Sequence, residues 1–186
     1  MSESVFDNRQ DALRARIALM CHAVRWLTLG YVLFVAWGLY DHWSDPARVQ
    51  KVFLGFYKLD IAGAAAWQWR AAEAAAAADW LVLAVLCWQV WRLFGHYLAG
   101  DIFTAASAAL LQRIGALGLV TVAFDFLMRP VTVMLMGAHL ADRSAARHAF
   151  VRTEDVLYVV ISLVFVALGV IYRAAAEIAD ENAQIV

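Results

Sequence analysis

Four long runs of apolar residues alternate with shorter polar stretches along this 186-residue chain. An α-helix needs about 20 residues to cross the hydrocarbon core of a bilayer, and each run is long enough to do so. In every run, apolar residues occupy all sides of a helix rather than one stripe, as contact with lipid requires. The pattern predicts four transmembrane helices, at about residues 17–40, 80–99, 114–140 and 156–176.

The composition supports a membrane protein. Hydrophobic residues make up 64% of the chain and charged residues 17%, compared with about 45–50% and about 25% in soluble proteins. A chain of this length has too little interior to bury so much apolar surface. We therefore predict an all-α integral membrane protein, with residues 1–186 as one domain and the four helices in an antiparallel bundle. Residues 1–16 are polar and no signal-peptide cleavage site follows them, so we expect the first crossing to act as an uncleaved signal anchor.

The first outer loop, residues 41–79, is the largest predicted extramembrane segment. Its second half, AAAWQWRAAEAAAAADW, is rich in alanine and tryptophan, and it favours a helix that lies on the membrane surface or extends the second crossing outward. We interpret the loop as a structural cover over the bundle, with a ligand-sensing cap as the alternative. Basic residues crowd the N-terminal end of the first crossing. Basic residues favour the cytoplasmic side, so this bias predicts a cytoplasmic N-terminus. The C-terminus is then also predicted to be cytoplasmic, because four crossings place both ends on one side.

Two ionisable residues, Asp125 and Arg129, lie near the middle of the third predicted crossing. Such groups cost about 2.5–3.5 kcal/mol each at the centre of a membrane helix, so partners are expected. Their i, i+4 spacing places them on one helical face and predicts an intramembrane ion pair. Pro130 follows directly and predicts a kink. The pair is interpreted as structural, with a proton-handling or ligand site and a contact to a partner subunit as alternatives.

Histidines offer a second chemistry. His22 begins the first crossing and His96 ends the second, so an antiparallel hairpin places both at similar depth on the inner side. Two facing imidazoles are the ligands of a bis-histidine b-type haem. The sequence contains no GxSxG, HExxH, Walker or GxGxxG motif. We therefore predict no enzyme activity and no cofactor, with haem b as the alternative and no metal site.

Two stretches carry a resemblance to a known family. The segment GDIFTAASAALLQRIGALGLV resembles the inner-loop motif of the bacterial membrane family called domain of unknown function 2975. The tail EDVLYVVISLVFVALGVIYRAAAEIADENAQIV is similar to that family's last helix and acidic ending. The matching positions of the first motif are Gly100, Asp101, Ile102, Phe103, Thr104, Arg113, Ile114 and Gly115.

The resemblance implies a four-helix protein of the bacterial inner membrane that partners a small helix-turn-helix regulator or another membrane protein. It supplies no catalytic residues. Both similar stretches face the cytoplasm in the predicted orientation, so we predict a docking face there, with simple helix capping by the turn as the alternative. The residues of this face are Asp101, Phe103, Thr104, Arg113, Glu177, Asp180 and Glu181.

Three functions remain open at this point. A non-catalytic regulatory or accessory protein, a sensor or an anchor for another protein, is the first. A b-type haem electron carrier using His22 and His96 is the second. A small proton- or ion-handling transporter subunit using Asp125 and Arg129 is the third, and it requires an oligomer because four helices enclose little space. The net charge of −1 and the absence of a basic stripe argue against direct binding of nucleic acid.

Overall fold

The computed structural model describes the backbone of residues 3–140 and 151–184, and the side chains of residues 17–140 and 151–178. The described residues form helices and connections, with no strand among them. In chain order, the elements are α1 (Glu3–Ser44), α2 (Pro46–Val52), a π-helical turn (Phe53–Tyr57), α3 (Ala66–Ala99), α4 (Ala105–Met136) and α5 (Thr153–Gln184).

Four of these helices contain segments long and apolar enough to cross a membrane. The segments are Ile17–Ser44, Ala66–Ala99, Ala105–Met136 and Thr153–Ile178. They confirm the predicted all-α fold with four transmembrane helices and identify a multi-pass membrane protein. The helices are longer than the predicted crossings, because helical backbone continues beyond the apolar core of each run.

The first outer loop is shorter than predicted. Residues 66–79 belong to α3, so the alanine-rich segment extends the second crossing rather than lying on the surface. The remaining connection between α1 and α3 contains α2 and the π-helical turn. Asp45 caps this short helix by accepting hydrogen bonds from the backbone of Ala47 and Arg48, and Pro46 occupies the first helical position, where no donor is needed.

The turn between α3 and α4 has the helix ends that its sequence predicts. Gly100 adopts a positive φ of 95°, which costs glycine no steric penalty. Its N–H donates to Tyr97 O and that of Asp101 to His96 O, the two bonds of a Schellman motif. Thr104 then caps α4, because its Oγ1 accepts from the N–H of Ser107 at 3.2 Å.

The chain divides into two compact units. The terminal unit contains Met1–Tyr31, Val85–Leu119 and Val159–Val186. The loop unit contains Val32–Ala84 and Val120–Tyr158.

The loop unit has a core beneath the α1–α3 connection. Its buried members are Val49, Phe53, Leu59, Ile61, Ala72, Val133 and Met136. The side chain of Gln68 is also buried, and its amide donates to Leu135 O at 2.7 Å while its Oε1 accepts from Ala65 N at 2.7 Å. The start of α3 is thereby fixed to the end of α4 through hydrogen bonds, as a buried amide requires.

Within the terminal unit, α4 and α5 pack closely against each other. A Cβ atom on Gly115 would lie 2.5 Å from Val166 N and 2.7 Å from Ser162 O, and one on Gly169 would lie 2.6 Å from Gln112 N. In lipid, the hydrophobic effect does not drive helices together, so their association depends on close van der Waals packing. Small residues at the contact allow the two backbones to come this close. Gly115 and Gly118 of α4 and Gly169 of α5 are therefore the positions at which these two helices approach closely.

Candidate functional site

The loop unit contains a buried guanidinium with two carboxylate partners. Arg129 of α4 donates from Nη1 and Nη2 to the two carboxylate oxygens of Asp155, each at 2.6 Å. Its Nη2 also bonds to Asp125 on the same helix. The side chains of Arg129 and Asp155 are each only 9% exposed, whereas that of Asp125 is 38% exposed. The bidentate arrangement joins the two side chains by strong, charge-assisted hydrogen bonds.

The position of Asp155 follows from local helix chemistry. Asp155 lies in the first turn of α5, and its Oδ2 accepts a hydrogen bond of 2.8 Å from the backbone N–H of Arg152, immediately before the helix. An acidic side chain that reaches back in this way satisfies a free donor and complements the positive end of the helix dipole. One carboxylate thus both caps α5 and binds Arg129 of α4.

A third carboxylate approaches this cluster. Asp79 of α3 interacts electrostatically with Asp125 and Arg129. Among the described residues, neither its Oδ1 nor the Nε of Arg129 has a hydrogen-bond partner, and both atoms are buried. Together with Arg129, the three carboxylates carry a formal charge of −2. A buried polar atom without a protein partner is a place where a water molecule or a proton can bind.

Within α4, Arg129 lies closer to the helix end than the predicted crossing placed it. Helix α4 begins at Ala105 rather than residue 114 and ends at Met136, so Arg129 lies seven residues, about 10 Å of helix, from the end of α4 instead of near its middle. Asp79 and Asp155 were missed because the predicted crossings began at residues 80 and 156, directly after each of them. For Asp155 a signal was available in the sequence, since acidic residues favour the first turn of a helix and Asp155 lies in the first turn of α5.

The turn between α3 and α4 meets the last part of α5. Phe103 is 66% exposed, and its ring stacks on that of Tyr172 with centroids 5.5 Å apart and planes 18° apart. Thr104 and Ser107 both donate hydroxyl hydrogen bonds to Asp101 O. The turn therefore caps its helices and also shares a surface with α5, so both interpretations of this segment have a structural basis.

The other residues of the predicted docking face are divided. Glu177 is exposed and pairs with Arg173 at 3.1 Å, one residue after the Tyr172 ring. Arg113 is exposed but lies eight residues into α4, about 12 Å of helix away from the turn. Asp180 and Glu181 belong to the backbone of α5, and their side chains lie outside the described residues.

The predicted haem ligands lie in different surroundings. His22 is exposed beside the buried Cys21 on α1. His96 is partly buried, and its Nδ1 lies 3.9 Å from an Asp101 carboxylate oxygen. An exposed imidazole on α1 does not point into the interior that a bis-histidine haem needs. Within the described residues, no group of three or more His, Cys, Asp or Glu side chains is placed to hold a metal ion.

Comparison with known proteins identifies one family. Its profile, described as "Protein of unknown function (DUF2975)", matches residues 61–186. The match covers both stretches on which the resemblance rests, the turn after α3 and the whole of α5. No curated protein and no solved structure matches the chain.

Proposed function

This chain belongs to the DUF2975 family, and on that basis we propose that it is a regulatory or accessory membrane protein without catalytic activity. The proposed site is a docking surface formed by Asp101, Phe103 and Thr104 of the turn and by Tyr172, Arg173 and Glu177 of α5. The proposed location is the bacterial inner membrane, with both termini and this docking surface in the cytoplasm.

One observation carries the proposal. The Phe103–Tyr172 stack joins the two stretches that the family shares into one surface, and Phe103 remains largely exposed there. An aromatic ring that is fixed by one neighbour and open on the other side suits an interface anchor, because little side-chain freedom is lost on binding. A ring whose only role was to close the turn would be covered.

The charge around this ring suggests the partner. Asp101 and Glu177 flank the stack, and Asp180 and Glu181 follow on α5 in the sequence. A helix-turn-helix regulator, the partner that the family resemblance implies, has a basic surface for DNA phosphates. We propose that the acidic end of α5 binds this basic surface, so that membrane docking and DNA binding compete.

Replacing Phe103 by alanine tests the docking surface. We expect Phe103→Ala to weaken binding of the purified helix-turn-helix regulator by about tenfold or more, because truncating a central aromatic anchor costs at least about 1–2 kcal/mol. Biolayer interferometry on the detergent-solubilised full chain measures this affinity, and raising the salt concentration should lower it further.

The matched control is Phe34→Ala on α1. Phe34 is also 66% exposed, but it lies within an apolar crossing where lipid contacts are expected. Equal losses of affinity in the two variants, or unchanged binding in Phe103→Ala, would show that the turn is not part of the interface with the regulator. DNA carrying the regulator's site should displace the membrane protein if the competition exists.

A second candidate is proton handling by the cluster around Arg129. The unpaired Asp79 Oδ1 beside Asp125 favours it, because a buried carboxylate oxygen without a donor is costly unless a proton or water reaches it. We expect Asp79→Asn to abolish proton flux in liposomes under an imposed pH gradient, and Glu73→Gln, an exposed site on the same helix, to leave it unchanged. A wild-type protein that carries no flux would eliminate this candidate.

A further inference from the structure

Three arginines of the terminal unit lie at one level along its helices. The guanidinium carbon of Arg25 lies 4.2 Å from the centroid of a Trp91 ring, and Arg92 follows Trp91 directly in α3. Leu93 and Ile114 belong to the same buried cluster, which places Arg92 and its counterpart Arg113 at similar depth on α3 and α4.

These arginines lack carboxylate partners among the described side chains of the unit. Only two carboxylates occur there, and both lie elsewhere: Glu177 pairs with Arg173 at 3.1 Å, and Asp101 lies 3.9 Å from His96. Arg25 rests on the Trp91 ring, and its buried Nε has no hydrogen-bond partner in the part of the chain that the structure describes. The loop unit differs, because its buried Arg129 is held by Asp125 and Asp155.

Tryptophans lie at the same level along these helices as the three arginines. Trp26 meets Trp91 edge to face, with ring centroids 5.8 Å apart, and both Trp26 and Trp88 are largely exposed. Exposed tryptophans of membrane helices concentrate where the hydrocarbon meets the lipid headgroups. Phosphate groups are the anions present at this depth, and arginine binds phosphate through two parallel hydrogen bonds.

We propose that Arg25, Arg92 and Arg113 bind the headgroup phosphates of anionic phospholipids. Arg92 and Arg113 are exposed and reach the headgroups directly. The Trp91 ring holds the guanidinium of Arg25 by a cation–π contact, and a lipid phosphate is its proposed hydrogen-bond partner. The three lipid phosphates provide the negative charge that balances these arginines. The described carboxylates of the terminal unit do not provide it.

Lipid titration of the full chain in detergent tests the proposal, with bound lipid measured by native mass spectrometry. We expect the wild-type protein to bind phosphatidylglycerol at least about tenfold more tightly than phosphatidylcholine. Each of Arg92→Gln and Arg113→Gln should lower that preference about fivefold, the effect of one basic residue at an anionic surface. These two residues are exposed, so their replacement keeps the fold; Arg25→Gln is added afterwards.

Arg173→Gln is the matched control, because Arg173 is also exposed but is already paired with Glu177. It should retain the lipid preference, and Arg92→Lys should retain most of it. A wild-type protein without preference for the anionic lipid, or an equal loss in Arg173→Gln, overturns the proposal. Displacement of the lipid by millimolar inorganic phosphate would assign the arginines to a free phosphate ion and would also overturn it.

Discussion

Arg129→Met is expected to lower the free energy of unfolding by about 3–5 kcal/mol, because it leaves Asp155 buried as an unpaired charge. Asp155 loses both of its bonds from the guanidinium and keeps only the backbone N–H of Arg152. Asp125 loses its partner as well, but its side chain is 38% exposed and so is less buried than that of Asp155. Reversible unfolding in mixed micelles, followed by tryptophan fluorescence, measures the change.

Two further variants separate the buried pair from a general loss of charge. Arg48→Met removes an arginine that pairs with Asp41 and Asp45 in an exposed position, so it should cost less than about 1 kcal/mol. The double variant Arg129→Met, Asp155→Leu should recover much of the stability, since it removes the buried and unpaired charge of Asp155. A loss of under 1 kcal/mol for Arg129→Met would mean that water reaches the cluster.

Gly115→Ala is the second large expected effect. The added Cβ would lie 2.5 Å from Val166 N and 2.7 Å from Ser162 O. Both are backbone atoms of α5, which cannot turn aside as a side chain would. We expect a destabilisation of about 1–3 kcal/mol or more, the usual cost of overpacking, since α4 and α5 must separate to admit the methyl group. The same unfolding measurement applies.

Gly95→Ala is the control for helix propensity. Nothing lies within 4 Å of a Cβ at Gly95 in α3, so alanine there should be neutral or stabilise by up to about 1 kcal/mol. Gly118 provides an intermediate case, because its Cβ would meet the Ser162 hydroxyl. Gly118→Ala should therefore be partly rescued by Ser162→Ala, whereas Gly115→Ala should not. Equal stability of Gly115→Ala and Gly95→Ala would contradict the close packing.

The number and type of the elements could be predicted because lipid imposes a simple requirement on each crossing. The boundaries could not be predicted as well, because helices continue past the apolar core into residues that read as polar loop. Asp79, Arg113 and Asp155 all lie in such extensions. The caps at Gly100 and Thr104 were predictable, since their conformations depend on a few neighbouring residues.

The ion pair shows how much of the candidate site could be predicted from the sequence. The spacing of Asp125 and Arg129 predicts their contact, since residues four apart share a helical face. The stronger partner, Asp155, lies 26 residues further along the chain, and only the packing of α5 against α4 brings it there. No local pattern encodes such a contact. The family match over residues 61–186 confirms the resemblance seen in the sequence and assigns no role to these residues.

The link between Arg129 and Asp155 also constrains the order of membrane insertion. Asp125 precedes Arg129 by one helical turn, so α4 can enter the bilayer with its arginine already neutralised. Asp155 is synthesised later, and its charge is matched only when α5 lies beside α4. The two helices should therefore insert together as a hairpin, with α4 remaining near the insertion machinery until the acidic start of α5 has been synthesised. A chain that stops before α5 would leave the two hydrogen bonds from Arg129 to Asp155 unmade.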